Sequence, residues 1–222
     1  MPKKRTLLSW SSGKDSAWTL HELQQNPEIE VVGLLTTFNE TADRVAMHAV
    51  RRELVHEQAK TSGLPLHAVD LPWPCPNGAY EALMGDTLAV LESSIDAIAF
   101  GDLFLGDVRA YREKMLEPFD IEPIFPLWLL DTRALAGEMI DRGLGAILTC
   151  VDPNQCPAEF AGRTYDRRLI DELPSSVDPC GENGEFHTFV YKGPMFSHGI
   201  KVRAGEIIER DGFVFADVAP VK

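Results

Sequence analysis

A short apolar run that ends in a small-residue turn and opens a helix constrains this chain more than any other stretch. The run Thr6–Ser9 is followed by Trp10-Ser11-Ser12-Gly13-Lys14-Asp15-Ser16. Where a strand turns into a helix in this way, the first helical N–H groups lack partners and the helix dipole favours negative charge. Gly13 lets the backbone approach an anion closely, and side-chain donors are available from Ser11, Ser12, Lys14 and Ser16. The stretch predicts a phosphate site; the plainer interpretation is a polar turn capped by Asp15 or Ser16.

Asp15 is the unusual member of this loop, because a carboxylate repels a phosphate unless a cation intervenes. It points to a bound Mg²⁺ held partly by this carboxylate and partly by phosphates. The loop is not a Walker A motif, which would place Gly at position 8 and Ser or Thr at position 15, where this chain has Leu8 and Asp15. It resembles instead the Ser-Gly-Gly-x-Asp-Ser loop of the ATP pyrophosphatases, with Ser12 in place of the first Gly. Enzymes with that loop split ATP between its α and β phosphates and adenylate a substrate.

Apolar strands and amphipathic helices alternate through the first 100 residues. Strands are predicted at 6–9, 29–37, 66–69 and 97–100, and helices at 17–23, 44–62 and 79–93. Such alternation predicts right-handed βαβ units and an α/β fold with a doubly wound, mainly parallel sheet of five strands, which by resemblance is of the HUP or PP-loop type. Ligands of these sheets lie beyond the carboxyl ends of the strands. With strand order 3-2-1-4-5, the phosphate loop would face Gly101-Asp102.

The second half of the chain is less regular and becomes rich in strands. Helices are predicted at 108–116, 132–142 and 158–173, and an extended connector at 121–128. The strand at 146–151 is the candidate to complete the parallel sheet. Further strands are predicted at 186–192, 194–202, 206–210 and 213–218, the last two joined by an Asp211-Gly212 hairpin turn. We therefore expect a nucleotide-binding domain at 1–104 and a smaller α+β subdomain, rich in antiparallel strands, at 105–222 that binds the substrate.

Charge and composition argue against several classes of function. The chain has 21 Lys and Arg against 34 Asp and Glu, a net charge of −13, so no stable nucleic-acid complex is expected. No stretch approaches the roughly 18 apolar residues that span a bilayer, and no signal peptide is recognisable, so we expect a cytoplasmic protein without a membrane partner. The four cysteines form no Cys-x-x-Cys pair, which weakens zinc and thioredoxin-like interpretations.

A second polar stretch, from Asp178 to Thr188, holds two Gly, three acids, an Asn and a His immediately before a strand. Its plain interpretation is a loop with Asx turns and a His satisfied by backbone. Together, Ser-Ser-Gly-Lys-Asp-Ser at 11–16 and Gly-Glu-Asn-Gly-Glu-Phe-His-Thr at 181–188 resemble the diphthine–ammonia ligase family of adenine nucleotide α hydrolase-like proteins. Further similar residues lie at Met47-His48, Gln58-Ala59, 101–105, Arg109, Tyr111-Arg112, 126–128 and 160–163, so the resemblance covers essentially the whole chain.

The resemblance implies an enzyme: an ATP-dependent amide ligase that adenylates a carboxylate, releases pyrophosphate and transfers ammonia with AMP as the leaving group. The implied ATP-binding residues are Ser11, Ser12, Gly13, Lys14, Asp15, Ser16, Thr36, Thr37, Phe38, Gly101 and Asp102. The implied substrate-binding residues are Gly181, Glu182, Asn183, Gly184, Glu185 and His187, with Arg109 and Arg112 as carboxylate or phosphate forks. The catalytic candidates are Lys14, Asp15, Glu182, Glu185 and His187, with no one of them assigned as the base. His48 is expected to be a packed, hydrogen-bonded side chain, and Cys180 to be no nucleophile.

The expected cofactors and partners are ATP, Mg²⁺, ammonia and a carboxylate acceptor, which is either a small molecule or a protein-borne residue such as diphthine. A homodimer is left open. Two other functions remain as alternatives. A tRNA-modifying or thiolating PP-loop pyrophosphatase fits poorly with the acidic balance and the missing Cys-x-x-Cys. A non-enzymatic adenine-nucleotide sensor would not need the second polar stretch.

Overall fold

The first half of the chain forms a parallel sheet. The structure, a computed structural model, describes residues 2–221. The strands of this sheet are β1 (Lys4–Ser9), β2 (Ile29–Asn39), the two-residue β3 (Arg44–Val45), β4 (Leu66–Leu71), β5 (Ala97–Ala99) and β6 (Glu122–Ile124). The five parallel strands run in the order β4-β2-β1-β5-β6, and β3 pairs antiparallel with the end of β2. Numbered along the chain, this is 3-2-1-4-5, which confirms the predicted fold class.

Helices cover both faces of this sheet. They are α1 (Lys14–Gln25), α2 (Arg52–Ser62), α3 (Asn77–Leu91) and α4 (Gly106–Leu116). Leu7 and Leu8, neighbours on β1, are both fully buried but pack into different apolar clusters, as expected of a strand covered on its two sides. Among residues 2–221, no helix is long and apolar enough to cross a membrane.

The second half forms an antiparallel sheet that packs on the first. Its strands are β7 (Gly145–Val151), β8 (Phe186–Lys192), β9 (Val202–Arg210) and β10 (Phe213–Pro220), in the order β8-β7-β10-β9, with helices α5 (Thr132–Asp141) and α6 (Arg167–Glu172). Phe186 and Phe189 of β8 belong to the same buried cluster as Leu8 of β1 and Trp18 of α1. The two sheets therefore share one core. The hairpin predicted at Asp211-Gly212 is confirmed, with φ of 53° and 82°.

The strand at 146–151 does not complete the parallel sheet, which corrects that expectation. β7 pairs antiparallel with β8 and β10, and β6 takes the fifth parallel position beside β5. All seven residues of β7 are buried, so its apolar pattern suits either sheet. β6 has only three residues and contains Pro123, which gives little signal of a strand. The first sheet thus reaches residue 124, and the domain division at 104 stays a prediction.

Three other predicted elements differ in the structure. The helix expected at 44–62 begins only at Arg52, because Met47 and Ala49 adopt positive φ and residues 45–50 form a tight turn. The helix expected at 158–173 is reduced to a short 3₁₀ turn and α6, since the backbone of 163–165 bonds to β7 instead. Residues 194–201 form turns rather than a strand. In each case the apolar residues are spaced as in a helix or a strand because they are buried, but the backbone of the segment does not form that regular element.

Candidate active site

The loop between β1 and α1 presents free helical N–H groups. Gly13 caps α1 without a side-chain bond, and the first helical hydrogen bond runs from the Ala17 N–H to the Gly13 carbonyl at 3.0 Å. The Lys14 N–H donates to Thr188 Oγ1 of β8 at 3.0 Å, which leaves the N–H groups of Asp15 and Ser16 at the helix start. The Ser16 hydroxyl donates to the Gly13 carbonyl and lies 3.2 Å from the Ser11 hydroxyl. This geometry suits an anion.

Ser12 holds the sharpest backbone turn of the loop. Its φ is 71°, in the left-handed region that disfavours a side chain by about 1–2 kcal/mol. The residue is fully buried, and its hydroxyl has no hydrogen-bond partner in the described part of the chain. The position therefore fits a glycine better than the serine that occupies it.

We expect Ser12→Gly to stabilise the fold by about 1 kcal/mol, since it removes both the backbone strain and the unpaired hydroxyl, against the larger unfolded-state entropy of Gly. Ser12→Ala is the matched control, because it removes the hydroxyl and keeps the strain. Urea unfolding of the three proteins should rank Gly above Ala and Ala above the wild type. An Ala variant as stable as the Gly variant would show that the backbone is not strained here.

Lys14 points from the loop into a buried cage. Its ammonium donates to Asp15 Oδ2 at 2.8 Å and to the Cys180 carbonyl, and lies 5.4 Å from the centre of the Phe186 ring. Burial by itself lowers the pKa of Lys14, but the charge and hydrogen bond of Asp15, with the charge of Glu182, outweigh it and the pKa is raised. Lys14 is therefore a buried cation held by residues of both halves of the chain.

Asp15 shares this cage but keeps one oxygen free. Burial raises its pKa, although the charge and hydrogen bond of Lys14 oppose that effect. Oδ1 is buried and has no hydrogen-bond partner among residues 2–221. A free carboxylate oxygen beside an anion site fits one protein ligand of Mg²⁺. In residues 2–221, no cluster of three or more His, Cys, Asp or Glu side chains could hold a metal by itself.

The two polar stretches of the sequence line one cavity of about 240 Å³. The loop contributes Ser11, Lys14, Asp15 and Ser16, and the segment after β5 contributes Gly101 and Asp102. Helix α4 contributes Arg112, and the second half of the chain contributes Gly181, Glu182 and His187. A Cβ at Gly101 would lie 3.0 Å from the carbonyl carbon of Asp15, so this position needs glycine for the chain to approach α1. The expected juxtaposition of the loop with 101–102 is therefore present.

Asp102 and Arg112 lie side by side in the wall of this cavity without a hydrogen bond. Asp102 Oδ2 and Arg112 Nε lie 3.7 Å apart, and each atom is buried without a hydrogen-bond partner in the described chain. Burial raises the pKa of Asp102, while Arg112 opposes the rise. A loose buried pair of this kind retains hydrogen-bonding capacity for a ligand.

Glu182 is the acid of the second stretch that reaches the cavity. Its Oε1 accepts from the Leu103 N–H at 2.7 Å and the Phe104 N–H at 3.3 Å, and its own N–H donates to Asp178. Burial raises the pKa of Glu182 to about 7, helped by the charge of Asp15. A carboxyl group with that pKa can exchange a proton near neutral pH.

We expect the pKa of Glu182 to leave a pH signature in stability. Because the folded pKa lies above the ordinary 4.5, the folded state holds an extra proton between about pH 4.5 and 7, and stability falls as the pH rises through that window. Glu182→Gln removes this contribution while keeping an acceptor for Leu103. Relative to the wild type, the variant should gain on the order of 1 kcal/mol in unfolding free energy between pH 5 and pH 7.5, after solvent screening. An identical pH dependence in both proteins would contradict the raised pKa.

A second cavity, of about 260 Å³, adjoins the first and is more apolar. It lies at the carboxyl ends of β1 and β2, where Trp10, Leu35 and Thr37 line it, and Met84 of α3 and Met115 of α4 close it. Of the three ATP-binding residues expected on β2, Thr37 lines this cavity. Thr36 is buried, and its hydroxyl donates a hydrogen bond to the Trp10 carbonyl. Phe38 is also buried, with the Arg52 guanidinium packed over its ring.

Several expected site residues lie away from both cavities. Glu185 is buried and ties its own turn together, since its Oε1 accepts from the Asp178 N–H and the Asn183 amide, each at 2.9 Å. Asn183 itself is exposed, and Gly184 has φ of 85° in the same turn. Arg109 stacks between Phe125 and Trp128 at 4.7 and 4.8 Å and pairs with Glu113 at 2.8 Å. Ligand-binding roles for these residues stay predictions.

Cys180 has the environment of a structural thiol. It is buried, its Sγ lies 3.4 Å from the Thr132 carbonyl, and burial raises the pKa of the thiol well above its ordinary value. A thiolate nucleophile is disfavoured in such a place.

His48 is the site residue that the sequence did not reveal. Expected on a helix, it lies instead in the 45–50 turn and lines both cavities. Its ring packs against that of His187, with the centroids 4.5 Å apart and the planes tilted by 37°. A Cβ at position 13 would lie 2.8 Å from His48 Cε1, so Gly13 makes room for the ring. The available signal was the Met47-His48 pair within the resemblance.

Comparison with known proteins decides the family. The family model for the diphthamide synthase N-terminal domain matches residues 4–119, and the model for the diphthamide synthase C-terminal domain matches 131–218. The chain belongs to the diphthamide synthase family. The resemblance drawn from the two polar stretches is thereby confirmed.

Relatives within the diphthamide synthase family are longer proteins. The chain is 30% identical to the diphthine–ammonia ligase of Danio rerio over 132 residues, covering 57% of this chain and 52% of that protein. It is 27% identical to the Homo sapiens enzyme over 133 residues, with coverage of 58% and 50%. The Saccharomyces cerevisiae enzyme is 24% identical over 232 residues, with coverage of 85% and 33%. The chain thus spans about half the length of these vertebrate relatives and a third of the yeast relative.

One solved structure is similar to this diphthamide synthase family chain at a lower level. It is a predicted subunit of a tRNA methyltransferase from Methanocaldococcus jannaschii, 19% identical, covering 84% of this chain and 96% of that chain. The TM-score is 0.41, which is too low to support an argument about function or fold.

Proposed function

We propose that this protein is an ATP-dependent, AMP- and pyrophosphate-forming amide ligase that adenylates a carboxylate and transfers ammonia to it, in the manner of a diphthine–ammonia ligase. One observation carries the proposal. A helix-start anion site and the second polar stretch, which are far apart in sequence, line the same cavity, and an apolar cavity of suitable size for a nucleoside adjoins it.

The residues have complementary roles in this proposal. The N–H groups of Asp15 and Ser16, together with the Lys14 ammonium, stabilise the charge that develops on pyrophosphate as the substrate oxygen attacks the α-phosphorus. Asp15 Oδ1 is the atom that would hold Mg²⁺, which when bound neutralises charge on the phosphates. Family membership supports ATP as the nucleotide.

Glu182 serves the second half of the reaction. Ammonia enters from solvent mostly as ammonium, and its nitrogen must lose a proton before or during attack on the acyl carbon. A carboxylate with a pKa of about 7 at the cavity wall suits that proton transfer. The acceptor carboxylate is a small molecule or a protein-borne residue such as diphthine, bound on the side of Gly181 and His187.

The test is product analysis with the purified chain. We expect incubation with ATP, Mg²⁺, ammonium and a panel of carboxylates, diphthine-bearing protein included, to release AMP and pyrophosphate in equal amounts, dependent on one acceptor. ADP and phosphate as products would contradict the proposal. Tight ATP binding without turnover on any acceptor would favour the nucleotide sensor instead.

A further inference from the structure

The wall shared by the two cavities carries His48, a residue to which no role has yet been assigned. Six residues line both cavities, and His48 is the most constrained of them; the others are Ser9, Ser11, Phe100, Arg112 and His187. If the phosphates of ATP occupy the polar cavity and the base occupies the apolar one, the sugar must lie at this shared wall. This step rests on the proposed function.

The orientation of the His48 ring is set by three contacts. Nδ1 lies 3.2 Å from the Thr188 carbonyl, the tilted ring of His187 packs against it, and Gly13 leaves space at Cε1. The backbone on either side is strained, with φ of 60° at Met47 and 54° at Ala49. Strain of this kind persists only where the surrounding structure holds it, and it is common at ligand-binding sites.

A clamp from the second sheet holds the turn that carries His48. Asp217 of β10 accepts from Arg44 at 3.0 Å and from Arg51 at 2.7 and 3.1 Å, so both ends of the turn are tied to one carboxylate. The Arg51 contact uses both carboxylate oxygens, the geometry that best fixes a guanidinium. The position of His48 thus follows from residues of both sheets.

The contact to Thr188 determines what His48 can offer a ligand. A carbonyl oxygen can only accept, so Nδ1 carries the proton and donates to it. Burial lowers the pKa of His48 to about 4, with a further contribution from Lys14 and an opposing one from Thr188, so the ring is neutral near pH 7. Nε2 of the neutral ring then carries a lone pair. Such an atom accepts from a hydroxyl and is repelled by a phosphate oxygen, which at neutral pH also carries only lone pairs.

We propose that His48 Nε2 accepts a hydrogen bond from a ribose hydroxyl of the bound nucleotide and makes the site selective for ribonucleotides over deoxyribonucleotides. The adjacent ring of His187 and the Asp217 clamp are positioning elements of this contact. A site built around a hydroxyl donor discriminates against the analogue that lacks it, because its own acceptor is left unpaired.

The test measures dissociation constants of ATP, 2′-deoxy-ATP and 3′-deoxy-ATP by calorimetry at pH 7.5. We expect the wild type to bind ATP about tenfold more tightly than one of the two deoxy analogues. His48→Asn keeps an N–H for Thr188 but removes the Nε2 acceptor, so its preference should fall to about one. His48→Gln places an amide oxygen near the position of Nε2 and should retain part of the preference. His56→Asn, on the exposed face of α2, is the control and should behave as the wild type.

The possible failures are distinguishable. A wild type that binds all three nucleotides equally, or an Asn variant that keeps the preference, would overturn the ribose contact and leave the ligase proposal standing. A folded wild type that binds none of the three would overturn the proposed function and the inference with it. If His48 were only structural, Asn would preserve the site and Gln would disrupt it, which is the reverse of the expected order.

Discussion

Lys14→Ala is expected to slow ATP-dependent pyrophosphate formation by a factor of ~10² or more, since a buried cation beside the anion site acts on charge that develops in the transition state. The substitution also leaves the Asp15 carboxylate buried without its partner, which for a broken buried pair costs about 3–5 kcal/mol of stability. Rate and unfolding free energy must therefore be measured on the same preparation.

Two further variants separate catalysis from folding. In Lys14→Met/Asp15→Asn the unpaired charge is removed, so we expect stability close to the wild type and a rate still reduced by ~10² or more. Lys60→Ala is the matched control, because the Lys60 ammonium is exposed and makes only a long, 3.8 Å ion pair with Glu57. This substitution should leave the reaction rate and the unfolding free energy nearly unchanged. A folded Lys14→Ala protein with the wild-type rate would contradict the catalytic role.

Gln58→Leu is expected to destabilise the fold by about 3 kcal/mol. Gln58 is fully buried on α2, accepts from the Trp10 indole at 2.9 Å, and donates to the carbonyls of Ser12 at 3.0 Å and Val190 at 2.7 Å. Leucine is similar in size but cannot form hydrogen bonds, so the indole N–H and the two carbonyls each lose a partner. Each buried group that is left unsatisfied costs roughly 1–3 kcal/mol. The Ser12 carbonyl keeps one bond, from the Val190 N–H, which limits the total.

Urea unfolding monitored by circular dichroism measures this effect. Gln24→Leu, at an exposed position of α1, is the control and should change stability by less than about 0.5 kcal/mol. A Gln58→Leu protein as stable as that control would mean that the three hydrogen bonds contribute nothing net to the fold.

Much of the fold follows from local pattern, because strands buried on both faces read as apolar runs between amphipathic helices. The alternation of strands and helices and the hairpin at 211–212 are of this kind, whereas the strand order 3-2-1-4-5 came from the usual topology of such sheets. β6 was not predicted, because a strand of three residues is too short to show an alternating pattern of apolar residues. It is a strand because it pairs with β5. The assignment of β7 fails because a fully buried strand does not reveal which partner covers it.

The site was predictable only in part, for a related reason. Glu182 and Glu185 are the same residue type three positions apart, yet one reaches the cavity and the other closes its own turn. Which of them faces a ligand depends on the left-handed residues Gly181 and Gly184, whose φ angles sequence does not state. His48 was obscured because its turn uses positive φ at Met47 and Ala49, residues that carry no turn signal.

The loop after β1 is completed by β8, a strand of the other sheet. The Lys14 N–H donates to the hydroxyl of Thr188, 174 positions away, and the Val190 N–H donates to the Ser12 carbonyl. In the proposed ATP site, thermodynamic linkage couples the two: a substitution that weakens the contact between β8 and the loop lowers nucleotide affinity, and bound nucleotide stabilises that contact by the same free energy. Under the proposed function, affinity for ATP therefore depends on the contact between the two sheets. Buried residues of β8 that line neither cavity, such as Phe189, then influence nucleotide affinity without contacting the ligand.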